Sequence, residues 1–234
     1  MIFPASAILF DLDGTLADTA PDMANALNLL TQRHKKPDVP YQIARNSVSK
    51  GSLAVVKCGF GDNLDEALLK QLQTEFLEIY SQNICINTRL FPGLAEALNL
   101  IEKNNLLWGV VTNKPGWLAE PLLKKMNLHH RAACIVSGDT LEKRKPHPDP
   151  LLHACQLISI QPENCIYFGD DERDAQAAIA ANMPMVIAAY GYIGEQETPE
   201  KWGTEHFVHD SNKMSTWLQE NILLNLSKAK PLAN

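Results

Sequence analysis

Five short apolar runs constrain this chain more than any other feature: Ala7–Phe10, Leu107–Val111, Cys134–Val136, 165–168 and 185–189. Each is too short for a stable helix, and none alternates apolar with polar residues. Strands buried on both faces read this way. Between them lie segments of helical period. Leu94, Leu98 and Ile101 share one face, as do Leu118, Leu122 and Met126 after Pro115, which suits a helix start, and 175–181 is rich in small residues. Strands alternating with helices predict an α/β fold with a doubly wound, Rossmann-like parallel sheet.

Residues 17–87 break that rhythm. One helical pattern runs over 21–34, with Met23, Leu27 and Leu30 on a stripe. Another runs over 64–84, with Leu64, Leu68, Leu72, Phe76 and Ile79 in register. No strand is expected between them. The pattern predicts a helical cap domain inserted after the first strand, so that 1–16 and 88–234 form the core and 17–87 the cap.

Composition limits the functional classes. Of 234 residues 45% are hydrophobic, enough for a buried core, and the net charge of −6 comes without a basic cluster, which argues against nucleic acid as partner. No stretch approaches the roughly 20 apolar residues of a membrane span. The first residues carry neither a basic region nor a sustained apolar stretch, so no secretory leader is expected. Five cysteines without a CxxC pair read as reduced thiols, and the expected location is cytoplasmic.

Four of the five expected core strands lead into reactive residues. "DLDGT" (11–15) follows the first, "TNKP" (112–115) the second and "GDDERD" (169–174) the fourth, while "KRKPHPDP" (143–150) follows the third. Ligands of open α/β sheets gather outside the carboxyl ends of the strands, so these segments should converge. Asp11 and Asp170 at one site repel each other unless a cation lies between them. Hard oxygen ligands with room for water and phosphate suit Mg²⁺. Lys145 supplies a point charge for a phosphate oxygen, Thr112 a hydroxyl, and Gly14 frees the backbone leaving the strand. Such a set suits phosphoryl transfer to an aspartate, with a nearby carboxylate as acid and base.

These four segments, in this order, resemble the motifs of the haloacid dehalogenase-like superfamily, in its phosphatase branch with a helical cap after the first motif. "VTNKP", "KPHPDPLL" and "YGY" (190–192) are closer still to the phosphoglycolate phosphatase group. The resemblance implies Asp11 as nucleophile and Asp13 as general acid and base. It implies Mg²⁺ held by Asp11, the backbone carbonyl of Asp13, and Asp170, with Thr112, Asn113 and Lys145 on the phosphoryl group. Asp171 stands where the family often has Ser or Thr, which leaves Asp171 and Asp174 as alternatives for supporting the metal from behind. In the cap, Arg45, Ser49 and Lys50 of "RNSVSKGS" (45–52) are the candidates for reaching a small phosphorylated metabolite.

Three other activities are weighed. A dehalogenase needs neither Asp13 nor Asp170. A phosphoaspartate switch would not need an acid and base at Asp13. A phosphosugar mutase shares the phosphoaspartate step and stays open. "YGYIGEQETPEKWG" (190–203) is similar to phosphatases of N-acetylmuramic acid 6-phosphate in cell-wall recycling, an alternative to phosphoglycolate. A monomer or homodimer is expected.

Overall fold

The computed structural model describes residues 5–223. In chain order the elements are β1 (Ala7–Phe10), β2 (Ala17–Asp18), α1 (Ala20–Arg33), α2 (Tyr41–Arg45), α3 (Ser52–Phe60), α4 (Glu66–Gln82), β3 (Arg89–Leu90), α5 (Leu94–Lys103), β4 (Leu107–Val111), α6 (Gly116–Lys125), β5 (Cys134–Val136), α7 (Asp149–Ile158), β6 (Cys165–Gly169), α8 (Glu172–Ala180), β7 (Met185–Ala188), β8 (Phe207–Val208) and α9 (Met214–Leu218).

Among the described residues six parallel strands form one sheet in the order β5-β4-β1-β6-β7-β8. The chain enters at the centre, builds outward through β4 to β5, then crosses to β6 on the other side of β1. The carboxyl end of β1 is therefore the point where the winding reverses and neighbouring connections part, the usual ligand crevice of such sheets. Side chains of β1 alternate between two cores. Ile8 and Phe10 pack with Val110, Leu98 of α5 and Leu122 of α6. Ala7 and Leu9 pack with Val136, Leu151 of α7 and Ala178 of α8. The five expected strands are all present. β8 has only two residues, so it leaves no run to read.

The helices α1 to α4 form the cap inserted after β1. Leu27 and Leu30 of α1, Val55 and Val56 of α3, and Leu72, Phe76 and Ile79 of α4 are buried together. α1 starts with Pro21 in its first turn and ends with Arg33 in its last, matching the helix dipole. Asp65 caps α4 by accepting from the Leu68 amide at 2.8 Å, so Leu64 lies outside the helix, and Leu68 is exposed rather than part of the buried stripe. As expected, no strand lies between the two long helices; α2 and α3 occupy that stretch.

A short antiparallel ribbon joins cap and core, with Ala17 opposite Leu90 and Asp18 opposite Arg89. Beside it the buried Asp22 carboxylate accepts from the amides of Asn87 and Thr88, at 2.8 and 2.9 Å, and from the Thr88 hydroxyl at 2.8 Å. One side chain at the start of α1 thus ties the entry of the cap to the returning chain just before β3. No helix of the described residues is long and apolar enough to cross a membrane.

Candidate active site

The backbone at the end of β1 sets the site. The Asp11 amide donates to the Phe168 carbonyl at 2.8 Å, as if β1 continued one residue further. The chain then turns through Gly14, whose φ of +89° puts it in the left-handed region. A Cβ on Gly14 or on Gly191 would run into the Asp170 side chain, so both glycines let backbone close around that carboxylate. Thr112 follows β4 and Asp170 follows β6, on either side of Asp11.

Asp11, Asp170 and Asp174 are buried, and one oxygen of each lies within 4.8 Å of the others. Lys145 is the cation among them. It donates to the Val111 carbonyl at 2.9 Å and the Tyr167 hydroxyl at 2.7 Å, and its Nζ lies 2.7 Å from Asp174 Oδ1 and 2.9 Å from Asp11 Oδ1. An ammonium has three protons and cannot serve four acceptors. Its hydrogen bonds go to Val111 and Tyr167, and both carboxylates are held as ion pairs; the Tyr167 hydroxyl also lies 3.1 Å from Asp174 Oδ1, whereas the buried Asp11 Oδ1 has no hydrogen-bond partner.

The charges respond to this crowding. Burial, opposed by Lys145 and reinforced by Asp174 and Asp13, pushes the Asp11 carboxyl up to about 7. Burial and the neighbouring Asp11 and Asp174 push Asp170 well above the usual carboxylate range, although Ser49 and the Tyr192 amide donate to it. Burial alone would lower Lys145, but Asp11 and Asp174 outweigh it and hold the ammonium charged. Like charges this close need further positive charge. The orphaned Asp11 oxygen and the oxygen-only donor set fit a hard divalent cation.

Asp13 is held apart from this cluster. It accepts from the Thr19 hydroxyl at 2.6 Å and from Lys114 Nζ at 2.9 Å. Lys114 also sits 4.6 Å from the centre of the Tyr80 ring of α4. Tyr80 is pushed up to about 12, chiefly by burial. Asp170 accepts from the Thr15 hydroxyl at 2.8 Å, the Ser49 hydroxyl at 2.6 Å and the Tyr192 amide at 2.9 Å.

A cavity of about 360 Å³ opens between core and cap, and Asp11, Asp13, Thr112, Asn113 and Lys145 line its floor. Asn113 donates to the Lys145 carbonyl at 2.9 Å and leaves its own Oδ1 buried without a partner. Lys50, Arg144 and Arg173 add positive charge to a protein that is acidic as a whole.

Most of the residues singled out in the sequence meet here. Asp174 joins the carboxylate cluster, whereas Asp171 caps α8 and pairs with Arg173. Ser49 and Lys50 line the cavity. Arg45 does not. It donates to the Gly191 carbonyl at 3.0 Å and stacks 4.8 Å from the Tyr192 ring centre. Lys114, Thr15, Thr19, Tyr167 and Arg173 were not foreseen. Lys114 stands inside the quoted "TNKP", but its partner Asp13 lies 101 positions away, and spacing carries no sign of that contact.

Comparison with known proteins gives these positions a family. The profile of the haloacid dehalogenase-like hydrolases matches residues 8–188. The chain is 39% identical over 202 residues to the N-acetylmuramic acid 6-phosphate phosphatase of Pseudomonas aeruginosa, covering 86% of this chain and 89% of that one. It is 42% identical over 208 residues to the phosphoglycolate phosphatase of Xanthomonas campestris pv. campestris, covering 89% and 93%. The crystal structure of a predicted phosphoglycolate phosphatase from Haemophilus somnus superposes with a TM-score of 0.81 at 26% identity, covering 94% of this chain and all of that one. With the profile spanning most of its length, this chain belongs to the haloacid dehalogenase-like hydrolases.

Proposed function

We propose that this protein is a Mg²⁺-dependent phosphatase that cleaves a small phosphomonoester through a phosphoaspartate on Asp11. The observation that carries the reading is the convergence of Asp11, Asp13 and Lys145 on the cavity floor at the winding reversal, with one buried Asp11 oxygen ion-paired to Lys145 but lacking a hydrogen-bond partner. Asp11 attacks phosphorus and its new O–P bond forms as the bond to the leaving oxygen breaks. Asp13 gives that oxygen its proton. Asp13 then takes a proton from water, the water oxygen attacks phosphorus, and the O–P bond to Asp11 breaks to release phosphate. Lys145, Thr112 and Asn113 bind the phosphoryl oxygens. Asp11, the Asp13 carbonyl and Asp170 would hold the metal, which would supply positive charge to those oxygens, and Asp174 rather than Asp171 would support these ligands from behind.

On the same reading the core comprises 1–16 and 88–234 and the cap 17–87; of these, 1–4 and 224–234 lie outside the described residues. The five unpaired cysteines support a cytoplasmic location. Ser49 and Lys50 are the cap groups that face the substrate.

Phosphoglycolate is the first substrate reading, supported by relatives of that name and by a cationic cavity suited to a compact dianion with a carboxylate. A specific observation favours a second. The cavity is larger than a two-carbon acid fills, and Met23, Val48, Leu53 and Leu77 give it an apolar wall, as the acetamido and lactyl groups of N-acetylmuramic acid 6-phosphate would use. Side-by-side kcat/KM on both compounds decides. A preference for the sugar of about tenfold or more would displace phosphoglycolate, and isomerisation of a phosphosugar without phosphate release would displace hydrolysis altogether.

A further inference from the structure

Asp171 places a carboxylate at the N-cap of α8, and its surroundings use both of its oxygens. Its Oδ1 caps α8 by accepting from the Arg173 amide at 2.9 Å. A Ser could do as much. The carboxylate does more: it accepts from Arg173 Nε at 2.7 Å and Nη2 at 3.0 Å, a two-pronged pair that fixes the plane of the guanidinium. With one proton of Nη2 on Asp171, the other points at the cap, where the same nitrogen donates to the Ser49 carbonyl. Ser49 then turns its hydroxyl to Asp170 Oδ2 at 2.6 Å. One residue of the cap is thereby held at both its backbone and its side chain by neighbouring residues of the fourth motif.

We propose that Arg173, aimed by Asp171, is a positioning residue that latches the cap loop 46–51 over the cavity and sets Ser49 against Asp170. The other cap-to-core contacts are weaker anchors. Lys50 and Glu197 are 3.8 Å apart and partly exposed, a kind of pair that contributes little. Arg45 reaches carbonyls of the 190–191 turn and stacks on Tyr192, but touches neither the cavity nor the carboxylate cluster. Among the described residues, Arg173 is the one that ties the loop through an ion-anchored fork beside the carboxylate cluster. The kinetic arm of the inference rests on the phosphatase reading; the structural arm does not.

The test is hydrogen exchange by mass spectrometry on the full chain, with Arg173→Gln, Arg173→Lys and Ser49→Ala compared with wild type. Arg173→Gln should speed exchange of 46–52 by about tenfold, with the strand peptides 107–111 and 165–169 unchanged. Lys carries charge but no planar fork, so Arg173→Lys should behave alike. Ser49→Ala keeps the carbonyl and should retain the protection. For turnover of the preferred phosphomonoester, Arg173→Gln should raise KM about tenfold with a smaller change in kcat, because fewer molecules are closed before binding. Wild-type exchange of 46–52 in a folded Arg173→Gln protein would overturn the latch, as would faster exchange spread evenly over cap and sheet. Should Arg173→Gln fail to fold, Asp171→Ser keeps the helix cap and frees the guanidinium. The same loop-specific acceleration is then expected, and its absence refutes the proposal.

Discussion

Replacing Asp11 by Asn keeps the side chain's shape and removes its ability to carry a phosphoryl group. kcat should fall by at least roughly a thousandfold, as nucleophile replacements commonly do. The melting temperature should not fall in metal-free buffer, because burial, Asp174 and Asp13 together disfavour the charge that the substitution removes more than Lys145 favours it. Turnover of p-nitrophenyl phosphate at a tenth of the wild-type rate by the folded variant would falsify the nucleophile assignment. Gly14 makes a contrasting case. Ala there must adopt a φ of +89° and set its Cβ into the Asp170 carboxylate. Gly14→Ala should cost about 2–3 kcal/mol in denaturant unfolding together with the activity; stability equal to wild type would mean that the turn relaxes freely.

At the scale of elements, the cap holds itself together by apolar packing. Phe76 is fully buried and stacks on Tyr80 of the same helix with ring centres 6.3 Å apart, and Tyr80 in turn sits over Lys114 of the core. Phe76→Ala should cost about 3–5 kcal/mol. Much of that loss should appear as faster hydrogen exchange in 20–33 and 66–82, while the central strands, whose main helical neighbours are α5, α7 and α8 rather than α4, remain protected. Uniform acceleration across the sheet would show that cap and core unfold as one unit. Lys114 is the channel by which loss of the cap would reach Asp13, since cap removal takes Tyr80 away from the cation that pairs with it.

For the whole molecule, the buried carboxylates couple stability to pH and metal. The Asp11 carboxyl lies at about 7 in the folded protein, above its ordinary range. Folding therefore favours its protonated form. That stabilisation is complete below about pH 4, the ordinary Asp value, and is lost as pH rises through about 7; Asp170 shifts in the same direction. Protein stripped of metal should thus melt at a lower temperature at pH 8 than at pH 5.5. Adding Mg²⁺ should raise the melting temperature more at pH 8, where the ligands are ionised, than at pH 5.5. An equal Mg²⁺ effect at both pH values would count against these carboxylates as the ligands. Chelation by EDTA should abolish turnover, and Ca²⁺, with longer and looser coordination, should not restore it.

The sequence by itself determined the parallel sheet, the helical insertion and the convergence of "DLDGT", "TNKP", "KRKPHPDP" and "GDDERD", because those follow from local periodicity and from the rule that strand ends gather ligands. Buried strands such as Val110–Val111 and Ile166–Phe168 are apolar on both faces, and that is visible one residue at a time. Short elements without a run of their own, β8 and the β2–β3 ribbon, were not visible, because their pairing comes from neighbours far along the chain. The choice between Asp171 and Asp174 belongs to the same class. Both are carboxylates three positions apart, and only the turn of α8 points Asp174 at Lys145 and Asp171 at Arg173. So does the fate of Arg45, Ser49 and Lys50. A basic cap loop is legible as composition, but which of its groups faces the cavity and which grips the core depends on the backbone carbonyls and carboxylates it meets, and tertiary packing alone brings those to it.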